Sequence, residues 1–202
     1  GRRHPQSLMA IANLGVNLRD AGRWDEALPL LEEGYQAVPE HPELDWIGSE
    51  LLDACLGGGR AERALALQDE LVAAAREQFA DDPAKVAATL ARVGQVLLKH
   101  QYAANAETLL FEAVTIRQAQ APEAWSTHDT VGRLGEAYLK QQRHTEAEAN
   151  LIAAATGMTK LIASQSPLQA KRHQTVIQQL IEAAQALKHE DIARHWAAEL
   201  EK

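Results

Sequence analysis

The sequence is poor in aromatic residues and in cysteine. Phe, Trp and Tyr make up only 4% of its 202 residues, and Cys55 is its single cysteine. An internal disulfide is therefore excluded, and because Cys55 lies on the apolar stripe of a predicted helix, we expect a small buried side chain there rather than a redox site. Alanine and leucine dominate instead, and both favour helices over strands. The composition predicts an all-α fold.

Long apolar runs are also missing. No stretch approaches the roughly 18 residues that a membrane-spanning helix needs, and the first residues lack the apolar core of a signal peptide. With 46% apolar and 24% charged residues, the sequence predicts a soluble domain without membrane insertion. It begins with Gly1 rather than Met, so we expect a piece of a longer protein, although tag processing would leave the same start. The sequence specifies no compartment, and a cytoplasmic location is the default expectation.

Positive charge is in deficit. The formal net charge is −8, which argues against nucleic acid or an anionic membrane as the main partner, since phosphate binding needs clustered Lys and Arg. Residues 1–101 hold 10 Lys+Arg against 16 Asp+Glu, whereas residues 102–202 hold 10 against 12. The acidic bias of the first half favours a basic partner segment there.

Catalytic and cofactor motifs are absent as well. The sequence contains no Gly-x-Ser-x-Gly elbow, Walker motif or dinucleotide loop, and no two of its eight histidines are three or four residues apart. The Gly57-Gly58-Gly59 run has no Lys-Ser/Thr after it, so it predicts a helix end and turn. We therefore predict no enzyme, cofactor or metal. An unrecognised catalytic site built from His128, Arg133 and Glu136 is the alternative.

What the sequence does contain is a repeated helical pattern, clearest in residues 12–34. Apolar or small residues recur at helical spacing on both sides of the turn Asp20-Ala21-Gly22-Arg23. They are Leu14, Gly15 and Leu18 before the turn, and Ala27, Leu30 and Leu31 after it. This stretch predicts two helices joined as a hairpin, with these six residues and Trp24 packed in its interior.

Prolines divide the chain into similar segments. Pro5, Pro42, Pro83, Pro122 and Pro167 are separated by 37, 41, 39 and 45 residues, and each is predicted to open a helix because proline suits a first helical turn. The predicted hairpins cover about residues 5–38, 42–79, 83–118, 122–162 and 167–201. We expect them to form one domain over residues 1–202.

The spacing of Leu14-Gly15, Leu18, Gly22, Trp24, Ala27, Leu31 and Pro39 resembles the tetratricopeptide repeat, whose usual period is about 34 residues. The longer period here, with Asn13-Leu14-Gly15, Glu26-Ala27-x-Pro-Leu-Leu and Ala147-Glu148-Ala149-x-Leu, is similar to the kinesin light chain type. The resemblance implies a right-handed superhelical solenoid of about five antiparallel hairpins. Its first helices would line a concave groove that binds a peptide or a helix of another protein.

The same resemblance implies which residues face that groove. The candidates are Asn13, Val16 and Arg19 in the first hairpin, Glu50 and Asp53 in the second, Arg92, Gln95 and Lys99 in the third, and Arg133, Glu136 and Lys140 in the fourth. Arg92 and Arg133 share a repeat position, so they are predicted to clamp a carboxylate together. Ordinary solvated charges are the alternative. Of the cation set used by chaperone-tail receptors, only Arg92 is present, so that class is not predicted.

The pattern therefore predicts a non-catalytic protein-interaction scaffold with an unidentified protein or peptide partner. The last segment, ending in Trp196-Ala-Ala-Glu-Leu, resembles the C-terminal arrays of planctomycete-type Ser/Thr kinases, which implies a docking or regulatory region of a bacterial signalling protein. Its polar last helix is typical of a solenoid cap, and no such cap precedes Pro5. Weak self-association through that N-terminal face is a further alternative, which light scattering at high concentration would test.

Overall fold

The computed structural model describes residues 4–201, which form ten α-helices and no strand. The helices are α1 (Pro5–Asp20), α2 (Trp24–Tyr35), α3 (Trp46–Gly57), α4 (Ala61–Gln78), α5 (Pro83–Lys99), α6 (Ala103–Gln120), α7 (Trp125–Lys140), α8 (His144–Lys160), α9 (Pro167–Ala186) and α10 (Glu190–Leu200). Short 3-10 turns lie at Pro42–Leu44 and Ile162–Ser164. None of the described helices has both the length and the apolarity to cross a membrane. The predicted all-α class is confirmed.

Backbone contacts divide the chain into two compact units, which meet in sequence at Ala80 and Asp81. In the first unit α1 packs on α2, α2 on α3 and α3 on α4. In the second, each helix from α5 to α10 packs on the next. Each unit is thus a stack of helix hairpins, five in all among the described residues. That residues 1–202 form one domain stays a prediction.

All five hairpins use the same turn. The residue two places after each first helix has a positive φ: Gly22 (73°), Gly59 (73°), Gln101 (68°), Gln142 (61°) and Lys188 (63°). The N–H of the next residue donates to a carbonyl five residues earlier, in the pairs Arg23–Leu18, Arg60–Cys55, Tyr102–Leu97, Arg143–Tyr138 and His189–Ala184, at 2.7–3.0 Å. This hydrogen bond closes the end of each first helix and satisfies a carbonyl that the helix leaves unpaired. The shared turn aligns the hairpins residue by residue.

Within a hairpin, the two helices meet where the first carries glycine. A Cβ added at Gly15, Gly94 or Gly135 would lie 2.8, 2.8 or 2.7 Å from the Cγ of the facing leucine, which is Leu31, Leu110 or Leu151 respectively. The alanines predicted to mark this contact, Ala27, Ala106 and Ala147, are fully buried. Cys55 is buried too, as predicted.

Two of the five prolines do not open an α-helix. Pro42 begins the 3-10 turn, and α3 starts only at Trp46. Pro122 lies in a turn before α7, in which the carbonyl of Ala121 accepts hydrogen bonds from the N–H of Ala124 and from the hydroxyl of Thr127. Because these bonds close a turn around Pro122, the helix is delayed to Trp125.

Leu14 is not an interior residue, contrary to expectation. Its exposed fraction is 52%, whereas the residues at the same repeat position are at most 3% exposed. Those residues are Leu51, Val93, Leu134 and Leu180. The first helices α3 and α7 each pack on the second helix of the preceding hairpin, but no described helix precedes α1. Self-association through this surface stays a prediction.

The positive φ in the shared turn leads to a prediction about stability. We expect Gln142→Gly to raise the free energy of unfolding by about 0.5–1 kcal/mol, because a residue with a Cβ is strained at positive φ. The reverse change, Gly59→Ala, should lower it by about 1 kcal/mol. An added Cβ there meets no atom within 4 Å, so only the backbone conformation is tested. Urea unfolding monitored by circular dichroism measures both changes, and a neutral result for both would contradict the analysis.

Candidate functional site

The residues predicted to face a groove all lie on first helices, namely α1, α3, α5 and α7. The turn alignment gives Asn13, Glu50, Arg92 and Arg133 one shared repeat position, and Asp53, Gln95 and Glu136 another. Lys99 and Lys140 share a third, two residues before their turns' positive-φ residues. The structural alignment therefore assigns the same repeat positions as the sequence, within each unit considered by itself.

In the first unit, Arg19 is already engaged by carboxylates. Its Nη1 pairs with Glu50 and lies 3.0 Å from the Oδ2 of Asp53, and its Nη2 donates to Asp20 at 2.8 Å. Burial opposes the charge of Arg19, but the hydrogen bond with Asp20 and the charges of Glu50 and Asp53 raise its pKa overall. One cation among three anions makes this cluster acidic. That Arg19, Glu50 and Asp53 contact a ligand stays a prediction.

In the second unit, Asp129 bridges two arginines. Its Oδ2 accepts from the Nε of Arg133 at 3.0 Å, and its Oδ1 accepts from the Nε of Arg172 at 2.9 Å. The Nη1 of Arg172 also donates to Glu136 at 3.3 Å. The four side chains are only 17–19% exposed. We call these four residues the Asp129 cluster.

The Asp129 cluster can form because Asp129, Gly132 and Glu136 lie on one face of α7, at helical spacings of three and four. Gly132 lies between the two carboxylates, and the Nη2 of Arg172 is 3.7 Å from where its Cβ would be. Arg172 of α9 therefore lies across α7 and reaches both acids at once. Its Nη2 is buried without a hydrogen-bond partner.

Arg133 uses only part of its guanidinium within the chain. Its Nε is bonded to Asp129, and its two Nη groups have no partner among residues 4–201. A carboxylate binds best to a guanidinium through two parallel hydrogen bonds, and two adjacent nitrogens of Arg133 remain for that geometry. Asp129 thus holds Arg133 in a fixed place while leaving it able to bind an anion.

A third arginine lies close to this cluster. Arg117 of α6 donates through Nη1 to the carbonyl of Ser126 at 2.7 Å and to the hydroxyl of Thr130. Burial lowers the pKa of Arg117, and the positive charge of Arg133 adds to that effect, while Asp129 opposes it. With Arg117 included, three arginines interact with the charge of Asp129.

The predicted pairing of Arg92 with Arg133 is less direct. The two share a repeat position, and α5 contacts α7, but Arg92 and Lys99 each also interact with another residue of the chain. Lys140 reaches back to the turn between α5 and α6, where its Nζ is 3.5 Å from the Oε1 of Gln101. That Arg92 and Arg133 clamp one carboxylate stays a prediction.

Sequence reasoning missed Asp129, Arg172 and Arg117. The spacing of Asp129 with Arg133 and Glu136 on one helical face was a visible signal. Arg172 gave no comparable signal, because it lies 43 residues from Asp129 in sequence. Its pairing depends on where α9 crosses α7, which only the structure specifies.

The suggested catalytic group is not assembled. His128 lies against Gly157 of α8, and its Nε2 is buried without a partner. Neither a hydrogen bond nor an ion pair joins it to Arg133 or Glu136 in the described part of the chain. Across residues 4–201, no three His, Cys, Asp or Glu side chains are placed to hold a metal ion.

Comparison with known proteins identifies the fold. The sequence model of the family described as "Tetratricopeptide repeat" matches residues 7–37. A solved structure of nearly identical TPR-like repeats, assigned to a kinesin light chain of Podosopora anserina, superposes on 98% of this chain and 95% of that one, with a TM-score of 0.73 and 20% identity. The chain has the tetratricopeptide-repeat fold.

Other solved structures agree with this fold. BtubC (BKLC) from P. vanneervenii aligns over 98% of this chain and 79% of its own, with a TM-score of 0.74 and 16% identity. MamA MSR-1 aligns over 96% of both chains, with a TM-score of 0.53 and 22% identity. No curated protein matches the sequence significantly. The predicted resemblance to kinesin light chain-like repeats is confirmed at the level of fold.

Half-buried His128 and buried His173 predict sensitivity to acid. Burial lowers the pKa of His128 and of His173, whose Nε2 lies 3.2 Å from the hydroxyl of Thr159. The unfolded chain takes up protons near the ordinary histidine pKa of about 6.5, whereas the folded chain does so only at lower pH. The contribution of these two histidines to the free energy of unfolding should therefore be constant above about pH 6.5 and fall below it.

Urea unfolding at pH 7.5 and pH 5.5 measures this fall. The double variant His128→Asn/His173→Gln should show a smaller fall than the wild type, and the exposed-residue control His195→Gln should match the wild type. An unchanged fall in the double variant would refute the assignment to these two histidines.

Proposed function

We propose that this chain is a non-catalytic protein-interaction module that binds an acidic segment of another protein on the first helices of its second unit. The observation that carries the proposal is a segregation of charge. The first helices α5, α7 and α9 contain seven Lys+Arg and three Asp+Glu, whereas the second helices α6, α8 and α10 contain three and seven. A positive surface on an otherwise acidic unit favours an anionic partner.

The Asp129 cluster supports the same proposal at the level of single groups. Arg133 has two Nη groups without a partner in the described residues, and its Nε is fixed by Asp129. A side chain held in place loses little conformational entropy when it binds, so a prepositioned guanidinium binds a carboxylate more tightly than a mobile one. Arg133 is the residue that we expect to contribute most.

The spacing of the other cations favours an extended partner. Arg133 and Lys140 are seven residues apart on α7, which is about 10 Å along a helix. Arg92 and Lys99 have the same spacing on α5, which packs against α7. Acidic side chains three residues apart on an extended segment in the polyproline II conformation lie on one face, about 9 Å apart. Gln95 and Glu136 lie between these cations on their helices and would contact the segment between its acidic residues.

The first unit has the opposite charge. Its first helices α1 and α3 contain one Lys+Arg and three Asp+Glu, and these are the residues around Arg19. Exposed Asn13 lies on the same helix as Arg19. If this unit takes part in recognition, it favours a neutral or basic segment. A role beside a bacterial signalling enzyme such as a Ser/Thr kinase is a finer proposal that rests on sequence resemblance, and the coding sequence upstream of residue 1 would test it.

Peptide selection tests the proposal without knowledge of the natural partner. A random-peptide display library selected on the immobilised chain should be enriched in Asp and Glu. A synthetic peptide from that selection should bind Arg133→Ala about tenfold more weakly, because one charge-assisted hydrogen-bonded pair is lost. The double variant Arg92→Ala/Arg133→Ala should bind it more weakly still. Fluorescence anisotropy measures these affinities.

The matched control is Arg194→Ala, which removes the same charge from the second helix α10, where Arg194 pairs with exposed Asp191. It should leave affinity for the peptide nearly unchanged. Enrichment without acidic residues, or equal losses for Arg133→Ala and Arg194→Ala, would contradict the proposal.

A further inference from the structure

Asp129 shares its carboxylate between two arginines on different helices. The Nε of Arg133 on α7 donates to one oxygen at 3.0 Å, and the Nε of Arg172 on α9 donates to the other at 2.9 Å. Each oxygen of Asp129 therefore has its own arginine donor. Because neither arginine receives both oxygens, neither makes the two parallel hydrogen bonds that a guanidinium forms with a carboxylate of its own.

This sharing determines how Arg133 pairs with Asp129. The two residues are four apart on α7, a spacing at which opposite charges on a helix contact each other. With both oxygens available, Asp129 would accept from the Nε of Arg133 and from one of its Nη groups in parallel. Arg172 prevents this pairing because it holds the second oxygen. Both Nη groups of Arg133 therefore remain available.

Arg172 is held firmly in the place that this role requires. Its Nη1 donates to Glu136 at 3.3 Å, so its guanidinium is attached to α7 at two carboxylates. Gly132 leaves room between them, since a Cβ there would lie 3.0 Å from Val176 and 3.7 Å from the Nη2 of Arg172. The Arg172 side chain is only 17% exposed. Its position follows from the packing of α9 on α7.

We propose that Arg172 is a positioning residue that keeps Arg133 open for a carboxylate of the partner. The inference rests on the proposed function, because it concerns the same binding site. The buried polar atoms without a partner among residues 4–201 include the Nη2 of Arg172 but neither Nη of Arg133. Arg133 thus reaches the solvent, whereas the remaining nitrogen of Arg172 does not. Arg172 acts through Asp129 and not by touching the partner.

NMR of arginine side chains in the wild-type chain without peptide gives the first test. The Nη groups of Arg133 should rotate about their Cζ–Nη bonds about threefold faster than Nη1 of Arg143, because that nitrogen donates to Glu107 at 2.8 Å. The signals of Arg133 are assigned by their loss in Arg133→Lys. Equally slow rotation in Arg133 and Arg143 would overturn the inference, and this comparison requires no folded Arg172 variant.

Two variants then test the role of Arg172 itself. In Arg172→Met, Asp129 can accept from an Nη of Arg133, so rotation of that group should slow about threefold or more. In Asp129→Asn/Arg172→Met the wild-type rate should return, because an amide has only one acceptor oxygen. The double variant removes one cation and one anion, so it leaves no buried charge newly unpaired at position 129. Circular dichroism checks that both variants keep their helix content.

The acidic peptide selected on the wild-type chain tests the consequence for binding. Arg172→Met should bind it about threefold to fivefold more weakly, and Asp129→Asn/Arg172→Met should bind it within about twofold of the wild type. The matched control is Lys171→Met, which removes an exposed charge from the adjacent position of α9 and should change the affinity less than about twofold. In an Arg133→Ala background, Arg172→Met should cost no more than this control.

The outcomes separate this inference from the proposed function. Equal rotation rates of the Arg133 Nη groups in the wild type and in Arg172→Met would overturn the inference. A binding loss that persists in the double variant, or that is the same without Arg133, would also overturn it, since Arg172 would then act by its charge alone. Failure of the proposed function would appear instead as a selection without acidic peptides, with the rotation rates still changing as expected.

Discussion

In three of the five hairpins, a glycine of the first helix lies directly against a leucine of the second. A single added methyl group at Gly15, Gly94 or Gly135 would come within 2.8 Å of that leucine, which is closer than carbon atoms approach without displacement. The two helices can approach this closely only because the first has no side chain at that position. The direction in which each first helix presents its remaining residues follows from this contact and from the shared turn that closes the hairpin.

Once the hairpin geometry is fixed, charged side chains that could bind a partner lie only at positions that do not pack between the two helices. In the second unit these positions are rich in cations on the first helices and rich in anions on the second helices. The Asp129 cluster links the α7–α8 and α9–α10 hairpins through carboxylates and cations. It leaves the Nη groups of Arg133 with a further capacity to bind an anion.

Much of the fold was predictable because it depends on local patterns. The helical spacing around Gly15, the turn before Trp24 and the recurring prolines sufficed to predict helix hairpins of this fold. Predictions from the sequence were wrong where the same residue type occurs in two structural settings. Pro122 was predicted to start a helix, but bonds to Ala121 place it in a turn. Leu14 matches the repeat pattern, yet it is 52% exposed in the described structure, where no helix precedes α1. Arg172 lies far from Asp129 in sequence, so only the crossing of α9 over α7 could reveal their pairing.

The account depends on the contact between Gly135 and Leu151, and a double-mutant cycle tests it most directly. Gly135→Ala is made in the wild type and in Leu151→Ala, and unfolding free energies are measured in urea. Alanine's higher helix propensity acts equally in both backgrounds and cancels in the comparison. The change should be at least about 1 kcal/mol less favourable in the wild type, where the methyl group meets Leu151, than in the truncated background, where it has space. The same free-energy change in both backgrounds would show that this contact does not limit the approach of the helices, and would contradict the account.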